Sequence, residues 1–104
     1  MYTVFVKYAL PNPVPRSAIL EGFKSVEDRF RNTPKLIRKY FCYDEASHTG
    51  YSFYLWEDEA SARGFFNDEM KAEFKQKFGT EPELDFVDLL MVVDNDSGQT
   101  LFNE

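Results

Sequence analysis

The run FYLWEDEASARGFFNDEMKAEF, from Phe53 to Phe74, limits the folds open to this chain more than any other stretch. Tyr51 to Trp56 is rich in aromatic residues and alternates, with Tyr51, Phe53 and Leu55 on one side and Ser52, Tyr54 and Trp56 on the other. That is the pattern of an extended strand. Asp58 then offers a helix cap, and the acidic residues after it suit the positive end of a helix dipole. Ala62, Phe65 and Phe66 give that helix an apolar side. Asn67 and Asp68 mark a break. Met70, Phe74 and Phe78 recur every four residues along a second helical piece from Glu69 to Phe78. Gly79 suits its C-terminal cap, and Pro82 prevents continuation. A strand that runs straight into a helix with an aromatic side calls for a sheet packed against helices.

The rest of the chain completes that layout. Tyr2 to Ala9 reads as a first strand, Tyr2, Val4, Val6 and Tyr8 facing one way. This start lacks the basic and continuously apolar character of a signal peptide. Pro11, Pro13 and Pro15 forbid a central ladder and make PNPVPRS a stiff connection. Ser17 is the expected cap of a helix whose Leu20, Phe23, Val26 and Phe30 share a face, ended by Asn32, Thr33 and Pro34. Lys35 to Tyr43 reads as a second strand and Asp44 to Gly50 as a hairpin connection. Leu84 to Val93 reads as a fourth strand. The order strand, helix, strand, strand, helix, strand is the split βαβ arrangement. We therefore expect an α+β, ferredoxin-like βαββαβ fold with an antiparallel sheet over residues 1–95. Residues 96–104 read as a polar tail in which Phe102 is the one candidate for docking.

Composition narrows the partners. The formal net charge of -6 and pI of 4.8 repel phosphate backbones and anionic lipid, so neither nucleic acid nor membrane is expected. No run reaches the length of a membrane span. Cys42 is the one cysteine, which rules out an intrachain disulfide and reads as a buried thiol in a reducing, cytoplasmic setting. Eleven Phe and six Tyr are a large aromatic area for a core of this size, open to ordinary packing, a cavity wall or a subunit interface.

Three segments, PKLIRKYF (Pro34–Phe41), FYLWEDEASARGFF (Phe53–Phe66) and FGTEPELDFVDLLMVVDN (Phe78–Asn95), resemble the dimeric α/β-barrel superfamily of antibiotic-biosynthesis monooxygenases. Within it the chain is most similar to the small YdhR-like monooxygenase relatives. The resemblance implies a homodimer whose two sheets form a barrel, with a pocket in each subunit between sheet and helices. It implies oxidation of aromatic polyketides or quinols by oxygen without flavin or metal, although relatives also degrade haem or isomerise lactones. The chain departs from the histidine-bearing members. Their two histidine places fall at Phe65 and Met70, so a histidine mechanism does not carry over. The one histidine, His48, lies in the DEASHTG loop and reads as a solvated surface residue, which disfavours haem ligation.

Candidate residues follow from strand phase. Trp56 ends its strand beside Tyr54, and the pair can form an aromatic wall with an indole N–H and a phenol to direct a ligand. Arg38 and Lys39 interrupt an apolar strand and face opposite ways. Arg38 shares the phase of Leu36, Tyr40 and Cys42 and is read as the inward charge, paired with an anionic ligand, or with Asp85 or Asp88. Arg38, Tyr54 and Trp56 are the catalytic candidates. Tyr8, Tyr40, Phe65, Phe66 and Met70 are the substrate-binding ones. Glu57, Asp58, Glu59, Asp44 and Glu45 read as caps and solvated turns, so no metal or cofactor is expected. Three functions remain open. One is a cofactor-independent monooxygenase-like enzyme for a small planar aromatic or quinol. The others are a non-catalytic dimer that binds such a molecule and a structural dimer whose aromatics fill core and interface.

Overall fold

A computed structural model describes residues 1–103. Four strands form an antiparallel sheet in the order β2-β3-β1-β4, with β1 Tyr2–Ala9, β2 Leu36–Asp44, β3 Thr49–Trp56 and β4 Glu83–Asp88. Four helices, α1 Arg16–Ser25, α2 Glu27–Arg31, α3 Glu59–Phe65 and α4 Asp68–Phe78, lie on one face. This is the expected α+β ferredoxin-like core.

Local chemistry sets the boundaries. Asp58 caps α3 by accepting from the Ser61 N–H at 2.7 Å, and Asn67 caps α4 by accepting from the Met70 N–H at 2.9 Å. Gly79 ends α4 in the left-handed conformation, φ 72°. Ser17 does not cap α1. Its cap is Pro15, which has no side-chain acceptor to offer, and the Arg16 N–H is instead met by the Glu45 carboxylate. The helix read as continuous to Phe30 bends at Val26, φ -108°, dividing α1 from α2.

The covered face carries Tyr2, Val4, Val6 and Tyr8 from β1, all buried, with Ser52, Tyr54 and Trp56 from β3. Ile19, Ala62 and Phe66 close over them from the helices. The opposite face is open in the single chain. Phe5 and Phe53 stand there edge to face at 5.2 Å, and Tyr40 and Val87 are about half exposed.

Two strand readings are corrected. The apolar run Leu84–Val93 is not one strand. It breaks at Leu89–Leu90, and β5 Met91–Asp94 pairs with β6 Gln99–Phe102 in a separate hairpin. The polar NDSG sequence is its turn. Asp94 Oδ1 accepts from the Asp96 and Ser97 N–H groups, and Gly98 supplies φ 76°. Second, β2 is irregular at its start. Leu36 pairs with Trp56, but Arg38 pairs with Leu55, so Ile37 is an extra residue in an edge strand.

Candidate functional site

That one extra residue decides which basic side chain enters the helix-covered layer. Beyond the bulge, Arg38, Tyr40 and Cys42 point to the open face, while Lys39, Phe41 and Tyr43 point to the helices. The inward charge is therefore Lys39, not Arg38. Arg38 is exposed and donates to the Tyr40 hydroxyl at 3.1 Å. Its guanidinium is stabilised by that bond first and by Asp94 and Asp96 after it, rather than by Asp85 or Asp88. Cys42, read as buried, is exposed for the same reason of phase.

Between sheet and helices lies a cavity of about 480 Å³, within the range of small-molecule sites. The sheet supplies Val6, Tyr8, Lys39, Phe41, Ser52, Tyr54 and Leu84. The helices supply Ile19, Phe23, Phe30, Phe65, Phe66, Met70 and Phe74. The exposed side chains of Arg29, Glu73 and Lys77 also belong to its wall. Of the sequence candidates, the structure gathers Tyr8, Tyr54, Phe65, Phe66 and Met70 here. It does not bring Arg38 or Tyr40. Trp56 stands one layer behind, 1% exposed, stacked on Tyr54 at 6.1 Å and against Phe65 at 5.2 Å. Its indole N–H has no hydrogen-bond partner among the described residues.

The arrangement around Lys39 is the most unusual feature of the wall. Its Nζ lies 3.5 Å from the Phe30 ring centre, 3.8 Å from that of Phe41 and 4.6 Å from that of Tyr54. No carboxylate forms an ion pair with it among the described residues. Burial lowers its pKa to about 6, and the charges of Arg29 and Lys77 push the same way. The three rings oppose this by attracting a cation, each by about 0.5–2 kcal/mol. Burial is the largest influence on the amine, and the direction is downward. Burial moves the phenols oppositely: Tyr8 is pushed up to about 12, with Tyr43 adding to the shift, and Tyr54 is raised further. At neutral pH the cavity thus presents a largely uncharged amine and two neutral phenols in an aromatic enclosure.

Two glycines serve the site. Gly50 faces Tyr8 across the β1–β3 pairing, and a Cβ there would collide with the Tyr8 ring, so only glycine lets that phenol lie over the sheet. Gly22 in α1 lines the cavity, and a Cβ built on it meets no atom within 4 Å. His48 is not the solvated loop residue expected. It is half-buried, and its Nδ1 lies 2.6 Å from the Leu10 carbonyl, pinning the β2–β3 turn to the end of β1. No three His, Cys, Asp or Glu side chains converge on a common point among the described residues. No described helix is long and apolar enough to cross a membrane.

No family model matches the sequence, and no curated protein matches it either. Solved structures do. The structural-genomics protein YJCS superposes with a TM-score of 0.62 at 18% identity, covering 85% of this chain and 97% of that one. NE2512, a protein of unknown function from Nitrosomonas europaea, gives 0.62 at 14% identity, with 88% and 91% covered. PA3566 from Pseudomonas aeruginosa gives 0.56 at 14%, with 86% and 94% covered. Likeness at these identities establishes a shared fold: over nearly its whole length, the chain has the α+β architecture of these small proteins.

Proposed function

We propose that this protein is a homodimeric, antibiotic-biosynthesis-monooxygenase-like enzyme that binds a planar aromatic compound carrying an acidic hydroxyl in the sheet–helix cavity. The observation that carries the reading is the unpaired Lys39 amine held among Phe30, Phe41 and Tyr54 at the wall of that cavity. Flat rings suit the aromatic walls. An amine that is largely neutral at pH 7 accepts the proton of a phenol or enol, and the resulting anion then lies near Lys39-H⁺, Arg29 and Lys77. In this reading Lys39, on a different element from Phe65 and Met70, is the base in a chain that lacks those histidines, and no cofactor is required. In an anthrone-type substrate the electron-rich anion reduces oxygen at a ring CH₂ carbon. One oxygen atom becomes the new carbonyl, and the other leaves as water with the two hydrogens of that carbon. The apolar surroundings exclude water from the reacting anion.

Oxygen uptake with anthrone or a naphthoquinol tests this. We expect protein-dependent uptake above the uncatalysed rate, lowered at least about tenfold in Lys39→Met, the size of a lost general base. Saturable binding with no uptake would leave the second reading, a non-catalytic binding protein. That reading is favoured by the apolar Phe65 and Met70 at the places where relatives carry histidine.

A further inference from the structure

We propose that Lys39 is also a carbonyl-reactive amine, which condenses with the aldehyde or ketone of a planar aromatic compound in the cavity to form an imine. The proposal rests on the reading that this cavity admits planar aromatic ligands, and it adds a second chemistry to the same wall.

A lysine must meet three conditions to react this way: a free lone pair at working pH, no competing ion pair, and room for a carbonyl compound beside it. Burial among apolar groups or next to another cation is the known route to the first. Lys39 has both. Phe30, Phe41 and Tyr54 surround its amine, and no described carboxylate pairs with it. The titratable and charged groups that share the cavity wall with it are Arg29 from α2, Glu73 and Lys77 from α4, and the phenols of Tyr8 and Tyr54 from β1 and β3. The α1 and α3 portions of the wall are uncharged. Arg29 and Lys77 repel a proton on Lys39, in the same direction as its burial. The cavity of about 480 Å³ supplies the room.

The step balances without an oxidant. The Nζ lone pair attacks the carbonyl carbon and gives a carbinolamine. Its oxygen then leaves as water with the two amine hydrogens, and the C=N bond forms. Every other lysine in the chain is exposed.

The test is reductive trapping. Protein is incubated with 2-naphthaldehyde and sodium cyanoborohydride at pH 7, and adducts are located by peptide mass mapping. We expect Lys39 to acquire the naphthylmethyl group at least about tenfold faster than any exposed lysine, because it stands on the wall of the aromatic cavity and burial favours its unprotonated form. Its rate should level off above about pH 7. Lys39→Arg and Lys39→Met, checked for fold by circular dichroism, should lose the fast adduct. Label spread over exposed lysines with Lys39 untouched would overturn the proposal, as would a Lys39 rate that climbs through pH 9. Calorimetry with 2-naphthol separates the two readings. Naphthol binding without an aldehyde adduct removes only the imine chemistry. Absence of both removes the cavity reading as well.

Discussion

Lys39 couples function to stability. Its pKa falls from the usual lysine value to about 6 on folding, so between roughly pH 6 and pH 10 the unfolded chain binds more protons than the folded one. Stability must therefore rise with pH across that window, by at most roughly 1.4 kcal/mol per pH unit from this group. Lys39→Met removes the titration and keeps the apolar stem. We expect the variant to be more stable at pH 7 by roughly 1–3 kcal/mol, because it no longer carries the cost of removing a proton from a buried amine on folding. The gap should close as pH approaches 10. Urea melts at several pH values measure both, and parallel pH profiles for the two proteins would show that the amine titrates normally. The sequence held the parity that identifies this residue. Lys39, Phe41 and Tyr43 alternate, and counting back from Tyr43 selects Lys39. Counting forward from Leu36 selects Arg38. Both counts assume an unbroken strand, and only the second crosses the bulge at Ile37.

Elements announced by side-chain chemistry were legible; those set by tertiary contacts were not. The caps at Asp58, Asn67 and Gly79 act over three or four residues, so the α3–α4 boundaries are close to their sequence signals. The Tyr8, Tyr54, Phe65, Phe66 and Met70 side of the cavity followed from strand and helix periodicity. Phe41 and Phe74 were visible in pattern but took on a role only through packing. The β5–β6 hairpin was missed because Leu84–Val93 is apolar throughout and hides a break at Leu89–Leu90. Asn103 makes that break durable. Its amide donates to the carbonyls of Met1 and Leu89, and its Oδ1 accepts from the N-terminal ammonium at 3.0 Å. Asn103→Ala removes these bonds, each worth about 1 kcal/mol net. We expect faster hydrogen exchange in the amides of β5 and β6 with the four-stranded sheet unchanged. Unaltered exchange would mean that the hairpin is held by other contacts.

The assembled molecule has one sheet face under helices and one exposing Phe5, Tyr40, Phe53 and Val87. A sheet face of that character calls for cover, and a second copy supplies it without new chemistry. We expect light scattering at micromolar concentration to give twice the chain mass, and Phe53→Glu to give the single chain mass. A monomeric wild type would leave a ferredoxin-like monomer with its cavity unchanged. The cavity itself is tested most directly by filling it. Gly22 lies in a helix on its wall, and a Cβ there meets no neighbour, so Gly22→Phe adds a side chain at the cavity wall and improves helix propensity. Calorimetric titration with 2-naphthol should show saturable binding at one site per chain in the wild type. It should show affinity lowered at least about tenfold in the folded Gly22→Phe variant, roughly 1.4 kcal/mol or more. Equal affinity in the two proteins would place the ligand outside the cavity and contradict the role assigned to Lys39.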